Sequence, residues 1–498
     1  MKRRDFCKSV VLGSATAMLP ATMLRAFAAE AANATTGAGE LQAITLSGKQ
    51  TVIPAAAVKA FAANLHGRAL TASDADYELA RRLWNKMIDK RPALIARCSG
   101  ATDIAHAVSF AREHDLLVAV RGGGHSFPGY SMCDGGLVID LSVMRSARVD
   151  PVAKTAQVAG GAWIGDLDWE TQQYGLATPM GEISNTGVAG LTLGGGYGWL
   201  SRTHGLACDN LVSADLVTAE GKLLHVSAHD HPELLWALRG GGGNFGVVSS
   251  FEYSLHAVGP RMLAGNLVYA PAQARAALEY YSRFAATAPR ELTVELSWGG
   301  SEGDDGDLAI AVGYIGDPRQ GEKLLQPLRT AVKARSDTIT SQDYVTVQKQ
   351  FDGPPLSTVN NYLKGGFVAE LSPALIEAII NEVKPDAVLN VELLHCGGAI
   401  GDVAPTGSAI AHRSELFQLL VTAGWKDAAD NERQRARVHA AWDKVNRFTN
   451  GFYVNLNSAD QKNVDDNYGP NRARLAAVKR QYDPGNLFRL NANIRPAA

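Results

Sequence analysis

Cysteine is scarce, five in 498 residues, and no two of them form a CxxC pair. That spacing argues against zinc and iron–sulfur sites, so no metal is expected. Cys98, Cys133, Cys208 and Cys396 read mostly as small buried residues, with a disulfide left open. Long runs of one charge are also missing: 48 basic and 50 acidic residues give a formal net charge of -2. Without a basic stripe, nucleic acid is not an expected partner. No apolar run is long enough to hold the chain stably in a membrane. Heptads, solenoid repeats and low-complexity tracts are absent. The glycine loop at residues 121–126 is neither GxGxxG nor GxxxxGK[ST], so the Rossmann and P-loop readings fail there.

What remains is a large globular chain, 46% apolar and rich in glycine, with 50 in all. Its size calls for at least two domains. Residues 1–29 read as a twin-arginine leader: Arg3 and Arg4 open RRDFCKS, and the short apolar stretch VVLGSATAMLP follows. The twin-arginine export machinery is then a partner, and the mature protein is expected to be exported, periplasmic or secreted. That route carries folded proteins, which suits an enzyme loaded with a cofactor before export. Residues 30–89 read as a lead-in followed by helices, with Ala-, Thr- and Gly-rich residues 30–55 weakly structured. From Pro92 the texture changes to a strand, helix, strand unit, ALIARCSG, DIAHAVSFAREHD and LLVAVRGGGHS. One α+β domain is predicted over 90–260. Alternating strands such as LTVELSWGG and LAIAVGYIG, separated by helices, predict a second domain over 261–450. The segment 451–498 closes the chain.

The sharpest motif is Arg121–Ser126, RGGGHS, directly after the strand LLVAV. Three consecutive glycines expose backbone N–H groups on a tight turn, which is an anion nest able to cradle a pyrophosphate. Arg121, Gly122, Gly123, Gly124, His125 and Ser126 are therefore candidate cofactor contacts. By itself the motif is also compatible with a plain glycine turn carrying a surface histidine.

Four blocks in order give the motif its context: LVAVRGGGHSFPGYS, GVAGLTLGGGYGWLSRTHGLACDNLVSADLVTAEG, LLWALRGGGGNFGVVSSFEYSL, and the C-terminal YVNL with YGPNRARLAAVKRQYDPGNLFRLNANI. In these the chain resembles the berberine-bridge-enzyme-like branch of the vanillyl-alcohol oxidase and p-cresol methylhydroxylase superfamily, over about residues 90–498. The resemblance implies an α+β fold: a two-part FAD-binding domain of the p-cresol methylhydroxylase type, an α/β substrate domain with a mainly antiparallel sheet, and a C-terminal tail packing back on the FAD domain. It implies FAD joined covalently to His125. Some relatives add a second link from a cysteine, but here GEISNTGVAG places Ile183 and Ser184 near that position, so a single link is expected. It also implies cofactor contacts at Gly187, Gly190, Gly194, Gly195, Gly196, Val217 and Asn493, with Gly240–Gly243 and Asn244 as a second glycine turn.

Relatives place a tyrosine of the C-terminal strand over the flavin and acid–base groups on the substrate sheet. Tyr453 matches the former. Glu392 and His395, in VELLHCGGAI, match the latter, and strand alternation puts these two on opposite faces. Tyr130 is a candidate pocket wall. The implied activity is oxidation of a small alcohol, sugar or similar hydroxyl compound, with dioxygen or another acceptor taking the electrons. An amine oxidase, a dehydrogenase and a non-catalytic flavin carrier are the alternatives.

Overall fold

The computed structural model describes residues 40–299, 306–458 and 465–498. The expected leader, 1–29, lies outside the described residues. No helix among those described is long and apolar enough to cross a membrane.

The strand, helix, strand unit forms as the apolar pattern dictates. Leu137–Asp140 pairs in parallel with Leu94–Arg97 on one side and Val118–Arg121 on the other, and Arg68–Leu70 adds an antiparallel edge. Helix Ala101–Glu113 crosses between the parallel strands. Its Ile104, Ala107, Val108 and Ala111 recur at helical spacing and are buried against the sheet. The lead-in departs from expectation. Leu41–Ile44 and Gln50–Ile53 form a hairpin, and helix Ala55–Ala63 follows. Ala43, Ile53, Val58 and Phe61 join the same core as Ile104. A stretch poor in strand formers holds this shape through packing, because a two-stranded hairpin has little stability of its own.

The second half of the FAD unit is a five-stranded antiparallel sheet in the order Leu223–Ser227, Leu211–Val217, Val247–Ser254, Thr155–Ala159, Ala147–Asp150. A third, eight-stranded sheet follows in the chain and is antiparallel throughout its named pairings. Its central strands are Leu308–Tyr314, Leu292–Trp298, Leu389–His395 and Phe417–Trp425. Helices Ala274–Thr287, Pro318–Ala331 and Asn431–Val445 cover one face, burying Val294, Val391 and Leu393 against Leu278, Tyr281, Leu325 and Val438. The opposite face turns toward the FAD unit.

The chain end returns to the FAD unit. Tyr468, Leu475, Val478 and Ile494 share a core with Leu234 and Phe245. Asn244 pins it, donating to the Ala492 carbonyl at 3.1 Å and accepting from Ile494 N–H at 3.1 Å. Lys479, fully buried, pairs with Asp483 at 2.6 Å and also donates to the carbonyls of Asn244 and Phe488. A buried charge so fully partnered fixes where the tail lies.

Candidate active site

A cavity of about 750 Å³ opens where the two FAD half-units, the uncovered face of the large sheet and the tail converge. The strand Val118–Arg121 delivers Gly122, Gly123, Gly124, His125 and Ser126 to its wall. Ligands of open sheets bind beyond the carboxyl ends of parallel strands, and this loop leaves such an end. From the other half-unit, Gly187 and Gly190 reach the same wall. The Gly123 backbone lies so close to Gly187 that no side chain fits at either position. Arg121 faces away from the cavity: its guanidinium donates to the Ala80 carbonyl and lies 3.9 Å from Asp140. Arg121 thus braces the loop from behind.

His125 stacks on Trp84, ring centroids 4.2 Å apart at 21°. Its Nε2 is buried without a hydrogen-bond partner, and burial pushes the imidazole pKa down to about 4. The ring is therefore neutral near pH 7, with an open nitrogen at the cavity. Trp84 N–H donates to the Gly124 carbonyl at 3.0 Å. The next residue, Asn85, is fully buried and bridges two domains: it donates to the carbonyls of Phe127 and Asn361 and accepts from Asn361 N–H at 3.0 Å. Neither Trp84 nor Asn85 stood out in the sequence, since both fall in the stretch read as a helical lead-in.

The sheet contributes acids. Glu295 lies on Leu292–Trp298 and Glu392 on the adjacent strand, where Ser297 pairs with Glu392, so both carboxylates share the cavity face. Glu182 meets Glu295 from the FAD side in a carboxyl–carboxyl hydrogen bond. Such a bond needs a proton on one partner; burial raises the pKa of both, with Glu392 pushing Glu182 up further and Glu182 pushing Glu295 up. Glu392 accepts from Asn390 at 2.6 Å and Thr422 at 3.3 Å, and burial raises its pKa too. Among the described residues, no lysine or arginine lines the cavity. His395 points into the opposite core, where Nδ1 accepts from Val294 N–H at 3.3 Å and Nε2 faces the Ala285 carbonyl at 3.1 Å. Of the two sheet candidates, only Glu392 reaches the cavity. No group of three His, Cys, Asp or Glu side chains among the described residues is placed to hold a metal.

Residues 92–227 match the family model described as FAD binding domain, and residues 452–495 match the one described as berberine and berberine like. An FAD-linked oxidoreductase of Dictyostelium discoideum is 32% identical over 447 residues, covering 88% of this chain and 97% of the relative. The chain belongs to the berberine-bridge-like FAD-linked oxidoreductases. The (R)-6-hydroxynicotine oxidase of Paenarthrobacter nicotinovorans is 32% identical over 87% of this chain and 97% of its own length. A crystal structure of 6-hydroxy-D-nicotine oxidase from Arthrobacter nicotinovorans superposes with a TM-score of 0.79 at 31% identity, covering 87% of this chain and 98% of that one. A berberine-bridge-like protein of Physcomitrella patens has the same fold, with a TM-score of 0.82 at 24% identity, covering 88% and 99%.

As in other berberine-bridge-like proteins the cofactor is FAD, and the residues present fit it. A wall of bare glycine backbone suits a dinucleotide that must approach the main chain, and the buried, unpartnered Nε2 of His125 lacks only a partner. Tyr130, Ile183 and Ser126 line the cavity, whereas Ser184 turns to Asp352, donating its backbone N–H to the carboxylate at 2.7 Å.

Several expected contacts fall elsewhere in this berberine-bridge-like chain. Gly194, Gly195 and Gly196 do not line the cavity; they pack beneath the tail, where a Cβ on Gly194 would strike the Asn455 side chain and Gly196 N–H donates to the Tyr453 hydroxyl at 2.8 Å. Val217 is buried in the first core, and Val247 and Val248 on the neighbouring strand line the cavity instead. Asn493 is likewise off the wall, while Asn491, two residues earlier, lies on it and donates to the Gly243 carbonyl at 2.7 Å. Of the second glycine turn, Gly242 and Gly243 line the cavity, and Asn244 anchors the tail. Tyr453 lines the cavity from just before a 3₁₀ turn rather than from a strand. Its hydroxyl accepts from Gly196 N–H and from Asn455 at 2.8 Å, and burial holds its pKa well above the usual value. With both acceptor positions filled, Tyr453 is set up to donate its proton, not to take one.

Proposed function

We propose that this oxidoreductase is an oxidase that carries its flavin on His125 through one covalent bond and oxidises a small organic molecule held against the carboxylate face of the large sheet. The observation that carries this reading is the position of the neutral, unpartnered His125 Nε2 on the glycine wall, across the same cavity from Glu392. A neutral imidazole nitrogen is the form able to make a bond to the flavin's 8α-methyl carbon. With Ile183 where a cysteine would be needed, the histidine is the single attachment.

Bound FAD supplies the hydride acceptor. The chain's own groups do the rest. Gly122–Gly124 and Gly187 would hold the cofactor by backbone, and Trp84 fixes the attachment ring. Leu296, Leu394 and Leu420 give the substrate side apolar walls that keep water out, while Glu392 stands ready to take a proton from the group next to the donor carbon. Tyr453 orients the substrate by hydrogen-bond donation. Dioxygen is the proposed electron acceptor, and the RRDFCKS leader directs the folded enzyme to the twin-arginine machinery and out of the cytoplasm.

Acid precipitation of the purified protein, followed by peptide mass spectrometry, tests the attachment: flavin mass is expected on the peptide containing His125 and on no other. Yellow colour left in the supernatant would exclude the covalent link. Peroxide formed in step with oxygen consumption would establish the oxidase; turnover restricted to an artificial acceptor would make it a dehydrogenase.

A further inference from the structure

We propose that Glu182 and Glu295, with Glu392 beside them, form a binding site for a small organic ammonium ion, so that the substrate is an amine rather than a neutral alcohol or sugar. The inference rests on the reading of the cavity as the substrate site of an FAD enzyme.

Three separate facts converge on it. First, the acids come from different parts of the chain: Glu182 from the loop beside Ile183 on the FAD side, Glu295 and Glu392 from neighbouring strands of the large sheet. A hydrophobic residue at any of these places would pack without cost. Burying carboxylates without counter-charge is expensive, and the expense is unexplained by the fold alone. Second, hydrogen-bonding capacity is left over. Glu295 is only 9% exposed, and its partner Glu182 keeps Oε1 buried with no hydrogen-bond donor. Third, nothing on the described wall answers the charge: among the described residues no lysine or arginine lines the cavity, and the other titratable side chains on it are His125, Tyr130, Tyr197, Tyr362 and Tyr453.

A neutral hydroxyl compound would fill space but leave the negative charge unanswered. An ammonium ion supplies both missing items, a positive charge and N–H donors for the free lone pairs. Leu296, Leu394, Leu420 and Phe351 are left to receive its carbon skeleton. With an ammonium substrate the pair, rather than Glu392, takes the proton from the group next to the donor carbon. Glu182 and Glu295 share one proton and retain one negative charge; an N–H proton passes to the charged carboxylate oxygen, the N–H bonding pair stays on nitrogen as its lone pair, and the pair becomes neutral. The amine is thereby held in its free-base form, the form from which loss of a hydride is easiest.

The test is an anaerobic titration of the purified, flavin-loaded protein with a panel of small primary and cyclic secondary amines, each matched with the alcohol of the same skeleton. Flavin difference spectra and thermal midpoints are the readouts. At pH 8, at least one amine is expected to bind ten-fold or more tightly than its alcohol. Glu182→Gln and Glu295→Gln should each reduce that affinity at least ten-fold, while flavin per chain stays as in the parent. Alcohols binding as tightly as their amines, no amine binding at all, or a preference that survives both substitutions would overturn the proposal. If one variant fails to fold, the other, on a different domain, carries the test. A parent protein without flavin would instead defeat the underlying reading of the cavity; a fully loaded protein with no amine preference defeats only the ammonium site.

Discussion

A Cβ added to Gly123 would stand 2.4 Å from the Cα of Gly187, and one added to Gly187 would stand 2.6 Å from the Cα of Gly123. The two half-units of the FAD domain thus meet through bare backbone at the cavity wall. Neither loop can thicken without moving the other.

Gly123→Ala and Gly187→Ala are therefore expected to wedge the loops apart, at a cost of about 1–3 kcal/mol each, as for other overpacked sites. Flavin per chain, read from the ratio of visible to ultraviolet absorbance after gel filtration, should fall several-fold in both. Parent-like flavin content in either variant would show that the contact is dispensable.

Trp84→Ala removes the ring on which His125 rests. An aromatic pair of this kind contributes about 0.5–1.5 kcal/mol beyond its buried area. The covalently loaded fraction is expected to drop while Trp84→Phe retains most of it. The comparison is made by acid precipitation of matched preparations.

Asn85 satisfies backbone groups on both sides of the domain boundary. Asn85→Leu keeps the volume and strands those groups, each at about 1–3 kcal/mol. The midpoint of urea unfolding should fall accordingly, and proteolysis of the native protein should become faster at the boundary. An unchanged midpoint would mean that water replaces the side chain without loss.

Asp168 is 1% exposed, accepts from Gln348 at 3.1 Å, and is pushed up to about 7 by burial. Its carboxyl stays protonated in the fold after the unfolded chain has released the proton near the ordinary aspartate value of 3.8. The unfolded state binds fewer protons in that window, so this group's contribution is complete below about 3.8 and is lost as pH rises through about 7, with a limiting slope of about 1.4 kcal/mol per pH unit. Asp168→Asn, which can still accept from Gln348, should flatten that loss. Thermal midpoints measured from pH 5 to pH 8 for parent and variant decide it.

The legible parts of the site were those where backbone geometry leaves no choice of residue. RGGGHS announced itself because a tight turn against another main chain admits only glycine, and the tail announced itself through a long block of fixed residues. Side chains whose role depends on which face of a strand meets a neighbour were harder. Glu295 in LTVELSW and Glu392 in VELLH sit in similar patterns, and alternation separates Glu392 from His395 without saying which of the two faces the cavity. Glu182 lay beside the position read for the presence or absence of cysteine and passed unnoticed. The run Gly194–Gly196 was expected to approach the cofactor, but what packs on it is Tyr453 and Asn455 of the tail. Trp84 and Asn85 gave no local signal, because their partners Gly124, His125 and Asn361 are set by tertiary packing alone.

The Gly196–Tyr453 hydrogen bond has a consequence in time. Tyr453, Val454, Asn455, Leu456, Asn491 and Ala492 all line the cavity, and they follow every other lining residue in the chain. Until that stretch has docked, the pocket is missing one wall. Cofactor capture is expected only once that stretch has docked, so a chain cut before residue 451 should be colourless.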